Sequence, residues 1–600
     1  MDRIDGYAPI RDYGVIGDGR TCALVARDGS IDWLCLPNVD SPSTFARLLD
    51  ADRGGAFELS PVERFEAEQE YAGPTNILET TFRTASGTVR VTDAMTLTDE
   101  TSISPMREVV RKIEGLEGRV RLRWEVRPRF VYGEHAGRLG RRFGRAFFSA
   151  GKDALAVSGW GVGEIELRNE AVGGEFELET GDTAMLNLAG SYKEPAVLPG
   201  RERVERRLER TERFWREWSG RARYDGRWRD EVIRSALVLK LLVFAPSGAI
   251  VAAPTTSLPE WYGGVRNWDY RYSWVRDASW TLDALLRLGY RGEATAFFWW
   301  IMHASRITQP RLQVLYRVDG GAHAKENTLE QFAGYRGSSP VRAGNGAVDQ
   351  VQLDVYGSLF EAASLYVEAG CPIDPATGKE LGKIADYVAD HWRDEDAGIW
   401  EVRSDPSHFT QSKALCWVAL NRACELAEQG VLPDRRGRWR READAVREFV
   451  EENGWDDELG SYVRSPDDRT VDACLLTMAL LAYEPEEPGR LNRLLDAVRR
   501  DLADGPLVYR YRGDDGVEGD EGAFLTCSFW LADALAHLGR VDEAIELMEE
   551  LVSLSNHVGL FAEEMDPRTR DYLGNYPQGL THLALVNAAV SIADAEGGAS

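Results

Sequence analysis

The 600-residue sequence lacks the segments that mark proteins for export or for insertion into a membrane. Its first residues, MDRIDGYAPIRDYG, include acidic side chains and contain no apolar run of signal-peptide length. No long uncharged stretch is present that would cross a lipid bilayer. We therefore expect a cytoplasmic protein that does not bind membranes.

Cysteine and histidine are both scarce, with seven and eight copies respectively. The cysteines are scattered and odd in number, which is typical of reduced, buried thiols rather than of a disulfide framework. None of these residues shows the HxxxH or CxxC spacing of a transition-metal site. We expect a protein that needs neither a metal nor an organic cofactor.

Positive charge is in deficit as well, because 71 Lys and Arg stand against 98 Asp and Glu, for a formal net charge of -27. The negative electrostatic potential of such a protein repels phosphates, so a nucleic acid is not an expected partner. A small neutral ligand fits better, and the 18 Trp, 21 Tyr and 20 Phe provide flat faces of the kind on which sugar rings stack. The sequence is compatible with a monomer and with a homo-oligomer.

The chain divides into two halves with different apolar periods. From the start to about residue 200, apolar and polar residues alternate in short runs between turns, as in NILETTFRTASGTVRVTDAM. A period of two is typical of an antiparallel β-sandwich. The charged stretch ERVERRLERTERFWREWSG follows without a helix breaker and predicts a helical connector.

After the connector the apolar period is helical, and Gly, Pro and Asp clusters cut the chain into twelve segments of helix length. These segments are 227–245, 274–289, 293–307, 350–369, 378–393, 408–429, 436–453, 470–483, 487–502, 523–538, 541–554 and 577–594. Twelve helices without intervening strands fit a solenoid of helix pairs or a closed ring of six hairpins. Because no fixed repeat motif is visible, we favour the closed ring.

The connecting loops of such a ring are where function is expected. The first notable loop, LPEWYGGVRNWDYRYSWVRDAS at residues 258–279, interleaves aromatic rings with charged side chains just before a helix. Aromatic walls and rigid hydrogen-bonding partners are what a sugar requires. Asp277, however, also fits a plain helix N-cap with Arg276 as its ion-pair partner.

Two further loops offer carboxylates. Glu401 follows Trp400, and a carboxyl beside an indole is partly desolvated, which raises its pKa and suits it to donate a proton. Glu563 and Glu564 follow an apolar turn and precede the last helix. Solvated loop glutamates are the ordinary alternative for both loops. Two carboxylates that converge on one pocket would provide the acid and base for glycosidic cleavage, but sequence alone does not show convergence.

These loops resemble glycoside hydrolase family fifteen, the glucoamylases and their bacterial trehalase and glucodextranase relatives. The segments GGVRNWDYRYSWVRDAS, GIWEVR, HFTQSKALCWVALNRA, EGAFLTCSFWLADAL and NYPQGLTHLALVNAA recur there in this order. The resemblance runs along nearly the whole chain. It implies a multidomain fold with a β-sandwich over residues 1–200, a helical linker over 201–225 and an all-α (α/α)6 catalytic toroid over 226–600.

The resemblance also implies roles for individual residues. Glu401 would be the general acid, and the AEEMD motif selects Glu563 over Glu564 as the general base. The implied substrate-binding residues are Arg276 and Asp277 at the nonreducing-end sugar, Arg510 near the leaving-group sugar, and Trp268, Asp269, Trp400 and Gln350 elsewhere in the pocket.

The implied activity is an exo-acting, inverting hydrolysis of α-glucosides by single displacement, with the two carboxyl groups roughly 6.5 to 9.5 Å apart. The missing export signal favours trehalose as substrate, and short α-1,4 or α-1,6 glucooligosaccharides are the alternative. A disaccharide phosphorylase needs no carboxylate base. The presence of the AEEMD motif, which would supply one, therefore favours hydrolysis. A noncatalytic carbohydrate-binding protein is less favoured because both Glu401 and Glu563 are present.

Overall fold

The computed structural model describes residues 3–97, 107–194, 198–513 and 515–598. The N-terminal part forms an antiparallel sheet domain of fifteen strands. They are β1 (Tyr13–Gly17), β2 (Cys22–Ala26), β3 (Ile31–Cys35), β4 (Ser43–Ala46), β5 (Ala56–Pro61), β6 (Phe65–Tyr71), β7 (Leu78–Thr84), β8 (Gly87–Met95), β9 (Glu108–Arg127), β10 (Arg138–Arg142), β11 (Arg145–Ala150), β12 (Asp153–Trp160), β13 (Glu166–Arg168), β14 (Ala171–Glu179) and β15 (Thr183–Tyr192).

Strand β9, 20 residues long, joins two layers of this domain. Its first half pairs with β8 and β15, and its second half pairs with β5 and β14. In the second half, Val120, Leu122 and Trp124 are fully buried, while the arginines between them are exposed. This alternation turns one face of the strand to the core and confirms the period-two prediction.

Fourteen α-helices occur among the described residues. They are α1 (Phe130–Gly133), α2 (Arg201–Ser219), α3 (Arg229–Leu242), α4 (Ala278–Arg287), α5 (Arg291–Ser305), α6 (Asp354–Glu368), α7 (Pro375–His391), α8 (Thr410–Glu428), α9 (Arg436–Asn453), α10 (Leu476–Leu480), α11 (Arg490–Leu502), α12 (Leu525–His537), α13 (Val541–Val552) and α14 (Gly579–Gly598). None of the helices in this part of the chain is long and apolar enough to cross a membrane.

The last twelve helices form a closed double ring. Helices α4, α6, α8, α10, α12 and α14 contact one another in this order, and α14 returns to α4. Helices α3, α5, α7, α9, α11 and α13 alternate with them along the chain and pack outside. The extent of burial depends on the ring to which a helix belongs. Helix α12 of the inner ring is buried from Leu525 to Ala536, whereas α13 of the outer ring buries only one stripe of residues. The predicted toroid of six hairpins is therefore confirmed.

One predicted helix is much shorter than its pattern indicated. The segment 470–483 contains only α10, preceded by a 3-10 turn at Ala473–Leu475. Asp472 explains the late start, because its carboxylate accepts hydrogen bonds from the backbone N–H of Cys474 and from the indole of Trp400, both at 2.8 Å. The chain before the helix is thus tied to a loop of the candidate site.

Short antiparallel strands brace the loops between the helices. The pairs are Val243–Phe244 with Ala249–Ile250, Thr256–Pro259 with Asn267–Asp269, Ser273–Trp274 with Leu315–Tyr316, Asn327–Thr328 with Arg342–Ala343, Trp455–Asp456 with Ser461–Tyr462 and Ala503–Asp504 with Leu507–Val508, and a three-stranded set joins Ala523–Phe524, Glu564–Met565 and Tyr572–Leu573. Three further 3-10 turns lie at Ile10–Asp12, Tyr335–Gly337 and Gly346–Asp349.

Candidate active site

One cavity brings together most of the residues that the sequence predicted. It is lined mainly by loops of the helical ring, from Ala252 to Leu580 at the start of α14, and Trp530 of α12 also contributes. The predicted site residues in its wall are Trp268, Arg276, Gln350, Trp400, Glu401 and Arg510. Asp269, Asp277 and Glu563 lie outside this wall, and their positions are described below.

Glu401 lies in the wall with about a fifth of its side chain exposed (20%). Its Oε1 accepts a hydrogen bond of 2.6 Å from the indole of Trp274 and lies 3.5 Å from Nη1 of Arg276. Burial raises the pKa of Glu401 above its ordinary value, while Arg276 and the indole act in the opposite direction. The indole that contacts this carboxyl is therefore that of Trp274, whereas Trp400 bonds to Asp472.

The backbone of Glu401 is held in an uncommon conformation. Its φ of 59° lies in the left-handed region, which non-glycine residues adopt at an energetic cost and mainly at functional sites. The side-chain amide of Gln350 donates to the carbonyl oxygens of both Glu401 and Val402, each at 3.2 Å. Gln350 thus fixes the loop that presents the carboxyl to the cavity.

Glu563 is fully buried, at 0% exposure, beside Tyr270, whose ring lines the cavity. Its Oε2 accepts a hydrogen bond of 3.0 Å from the backbone N–H of Asn575. Its Oε1 has no hydrogen-bond partner among the described residues. Burial, and next the negative charge of Glu260, raise the pKa of Glu563 to about 8. One oxygen of this carboxyl is thus anchored by the backbone, and the other is buried beside Tyr270.

Glu564 has different partners although it follows directly in the chain. It belongs to the short strand Glu564–Met565, and adjacent residues of a strand point in opposite directions. Its Oε2 accepts a 2.8 Å hydrogen bond from the backbone N–H of Gly522, and its Oε1 lies 3.6 Å from Arg510. Glu564 is therefore part of the ion-pair network of Arg510.

Arg510 is surrounded by carboxylates. Its Nη2 donates to Glu260 at 2.9 Å and to Glu521 at 2.5 Å, in addition to its contact with Glu564. Oxygens of these three glutamates lie within 4.8 Å of one another, a grouping that would also suit a hard cation. The guanidinium contacts all three, but its single positive charge does not balance three ionised carboxylates, and burial raises the pKa of Glu260 and of Glu564.

Two of the predicted site residues, Asp269 and Asp277, form ion pairs with neighbouring arginines. Asp277 stands at the start of α4 but its side chain makes no capping hydrogen bond, and it accepts instead from Nε of Arg276 at 2.9 Å. Asp269 is fully buried and forms two hydrogen bonds with Arg271, at 2.8 and 2.7 Å. Arg271 in turn donates to the hydroxyl of Tyr132 in the sheet domain at 2.7 Å. Asp269 thus anchors its loop to the sheet domain rather than facing the cavity.

Comparison with known proteins decides the family. Residues 226–590 match the family model described as "Glycosyl hydrolases family 15", and residues 5–168 match that described as "Trehalase-like, N-terminal". The chain belongs to glycosyl hydrolases family 15. It is accordingly a glycoside hydrolase, as the resemblance of its motifs predicted.

Two relatives of this family 15 enzyme match it over nearly their full length. A protein named "Trehalase" from Thermoplasma volcanium is 34% identical and covers 99% of this chain and 95% of its own. Another protein of that name, from Mycolicibacterium smegmatis, is 36% identical, over 98% of this chain and 92% of its own. The crystal structure of a bacterial glucoamylase complexed with acarbose is 14% identical, with a TM-score of 0.71 and coverage of 98% and 95%. This last likeness confirms the fold.

Sequence reasoning missed several residues of the family 15 site. Tyr270 and Trp274 were noted only as two of many aromatic residues, although they contact Glu563 and Glu401 respectively. Glu260, Arg266 and Asp515 line the cavity and received no role. Asp515 lies in a run of glycines and acidic residues that has the pattern of a solvated loop, so local sequence gave no sign of its burial.

Proposed function

We propose that this glycoside hydrolase is an inverting trehalase that cleaves trehalose into two glucose molecules. The observation that carries the proposal is the combination of a partly exposed Glu401 in the cavity wall with a buried Glu563, which lies beside Tyr270 of the same cavity. The choice of trehalose rests on the full-length relatives that bear the name "Trehalase". Trehalose also agrees with the neutral substrate that the charge of the protein favours.

In the proposed reaction, Glu401 donates its proton to the glycosidic oxygen while the bond from this oxygen to the anomeric carbon of the inverted glucose breaks. Glu563 takes a proton from a water molecule that attacks the anomeric carbon from the opposite face, so that this glucose leaves as the β-anomer. The position of Glu401 in the cavity wall supports its role as donor, since a donor must contact the glycosidic oxygen itself. The Oε1 of Glu563 supports its role as base, since among the described residues it has no hydrogen-bond partner that would compete with a water molecule.

The proposed contacts with substrate use the arginines of the cavity wall. Arg276 and its partner Asp277 would hold hydroxyls of the glucose that is inverted, because both lie next to Glu401. Arg510 and Trp400 would face the leaving glucose, and their mutual contact at 5.6 Å supports a common surface. Trp268 would offer its ring edge, because Arg342 and Arg403 lie 4.5 and 4.4 Å from its centre.

The experiment is glucose release from trehalose, maltose, isomaltose, maltotriose and soluble starch, with proton NMR recording the anomers in the first minutes. Selective cleavage of trehalose, with equal α- and β-glucose at first, supports the proposal, because only one of its two glucose units is inverted. Preference for maltose or isomaltose would identify a glucoamylase or isomaltase instead. Retention of configuration, or cleavage only with added phosphate, would overturn the mechanism.

The proposal includes a cytoplasmic location. All seven cysteines are free in the structure, which supports a reducing compartment. Fractionation of the source cells, with the protein detected by antibody, tests this point. Recovery of the protein outside the cell would contradict it.

A further inference from the structure

The loop before α12 lines the cavity at Asp515 and Val517. The carboxylate of Asp515 accepts two hydrogen bonds from Arg266, at 2.6 and 2.8 Å, and a third of 2.6 Å from the hydroxyl of Tyr511. Arg266 belongs to the loop that carries Trp268 and Tyr270, so this ion pair connects two walls of the cavity. Both side chains are nearly buried, with Asp515 at 4% and Arg266 at 7% exposure.

The same loop also rests on the segment that follows Glu401. The carbonyl oxygen of Asp515 accepts a hydrogen bond of 3.1 Å from the backbone N–H of Arg403. Gly516 has a φ of 79°, and a Cβ at this position would lie 2.7 Å from the backbone nitrogen of Ser404. The two backbones therefore approach as closely as only glycine allows. Asp515 thus bridges the wall of Arg266 to the wall of Glu401.

The carboxylate of the bridge is ionised at neutral pH. Although burial opposes ionisation, Arg266 and Tyr511 lower the pKa of Asp515 to about 2, so the carboxylate stays charged. Arg266 also donates to the carbonyl oxygen of Val517 at 2.7 Å, which brings Val517 into the cavity wall. A buried, bidentate arginine–carboxylate pair of this kind fixes geometry strongly.

We propose that the Arg266–Asp515 bridge closes the leaving-group side of the cavity and limits the substrate to two sugar units. The side follows from Tyr511, which binds Asp515 and directly follows Arg510, the residue assigned to the leaving glucose. A third sugar attached to that glucose would have to occupy the space that Asp515 and Val517 fill. This inference rests on the proposed function, which it deepens by naming a determinant of substrate length.

The test compares trehalose with the trisaccharide in which one of its glucose units carries a further α-1,4-linked glucose. Cleavage of the trehalose bond in this trisaccharide yields maltose, which chromatography separates from the trehalose that attack on the α-1,4 bond would yield. The measured quantity is the ratio of kcat/KM for the trisaccharide, scored by maltose, to kcat/KM for trehalose. We expect Asp515→Ala and Arg266→Ala each to raise this ratio about tenfold or more, because each removes the barrier to the third sugar.

The double variant tests whether Arg266 and Asp515 act through their mutual contact or independently of each other. Because both residues act through one contact, Arg266→Ala combined with Asp515→Ala should raise the ratio no further than either change alone. Asp496→Ala is the matched control, since it breaks an exposed ion pair with Arg540 of 2.7 Å outside the cavity and should leave the ratio unchanged. Asp515→Asn retains the size of the side chain and removes its charge, and should give an intermediate ratio.

Folding of the variants is checked by circular dichroism and thermal melting. In Asp515→Ala, Arg266 keeps Glu521 at 3.4 Å and Glu260 at 3.9 Å, so its charge is not left alone. If the Ala variant does not fold, the Asn variant gives the answer. An unchanged ratio in folded variants, or a wild-type enzyme that cleaves both sugars equally, overturns the inference. If the wild type cleaves maltose rather than trehalose, the proposed function fails, and the ratio for maltotriose over maltose tests the bridge.

Discussion

The loops of Glu401 and Glu563 bring their carboxyl groups to the cavity in opposite ways. Glu401 is partly exposed, lies in the wall, and has its Oε1 engaged by Trp274 at 2.6 Å. Glu563 is fully buried beside Tyr270, and its Oε1 has no partner among the described residues. A proton donor must touch the glycosidic oxygen itself, whereas a base needs to reach only a water molecule. The different environments of Glu401 and Glu563 thus suit one glutamate to donate a proton and the other to accept one.

The largest expected effect comes from removing either carboxyl. Glu401→Gln and Glu563→Gln should each lower kcat for trehalose by about a hundredfold or more, because positioned proton transfer is lost. Steady-state kinetics on folded variants, with melting curves as the control for stability, measures the effect. A near-normal rate in either variant removes that residue from the mechanism.

A substrate with an activated leaving group sharpens the contrast between the two glutamates. Fluoride leaves α-glucosyl fluoride without needing a full proton, so the Glu401 variant should hydrolyse this substrate far better than trehalose. The Glu563 variant should remain slow on both substrates, because water still needs a base. The reverse pattern would exchange the assigned roles of acid and base.

Tyr270 is the residue through which the buried carboxyl meets the cavity, and its loss should have the next largest effect. Tyr270→Phe removes the hydroxyl beside Glu563 and should lower kcat about tenfold, as expected when a supporting hydrogen-bonding group at a catalytic residue is lost. Tyr272→Phe is the matched control two residues away, since Tyr272 lines a different cavity, next to the sheet domain. Equal losses in both variants would mean that Tyr270 serves only the packing of the loop.

Much of this architecture was predictable from the sequence because it depends on periodicity. The alternation in β9 and the twelve helical segments after residue 225 reflect burial of one face or of a whole element, which local sequence records. The failure at 470–483 has a tertiary cause, because Asp472 is bound by Trp400.

The candidate site was predictable only where a residue stands in a motif. Glu401, Arg276 and Arg510 were found in this way, and all three lie in the cavity wall. The partners of the two glutamates were not found, because Trp274 precedes Glu401 by 127 residues and Asn575 follows Glu563 by 12, and both separations exceed a local motif. Local patterns carry no record of such contacts.

A smaller effect should come from the charge that lies next to the buried carboxyl. The negative charge of Glu260 raises the pKa of Glu563, in addition to the larger effect of burial. Glu260→Gln should therefore lower this pKa, and since the base must be ionised, the acidic limb of kcat/KM should move to lower pH by about half to one unit.

The control for this shift is Glu521→Gln. Glu521 pairs with the same Arg510 at 2.5 Å, but it is not among the main influences on the pKa of Glu563. Its substitution should leave the acidic limb in place. A limb that stays fixed in Glu260→Gln, or that moves to higher pH, would contradict the electrostatic account of Glu563.

The smallest expected effect on activity, with a larger one on stability, concerns a buried carboxyl near Glu401, Asp354, whose two oxygens have no hydrogen-bond partner among the described residues. Burial, and next the charge of Asp396, raise the pKa of Asp354 to about 7. Its folded-state pKa thus exceeds the unfolded value, so stability is lost as pH rises from about 4 to about 7, by about 4 kcal/mol at most. Asp354→Asn should then melt at a higher temperature than wild type at pH 8 and nearly the same at pH 4. The same difference in melting temperature at pH 4 and pH 8 would contradict the raised pKa of Asp354.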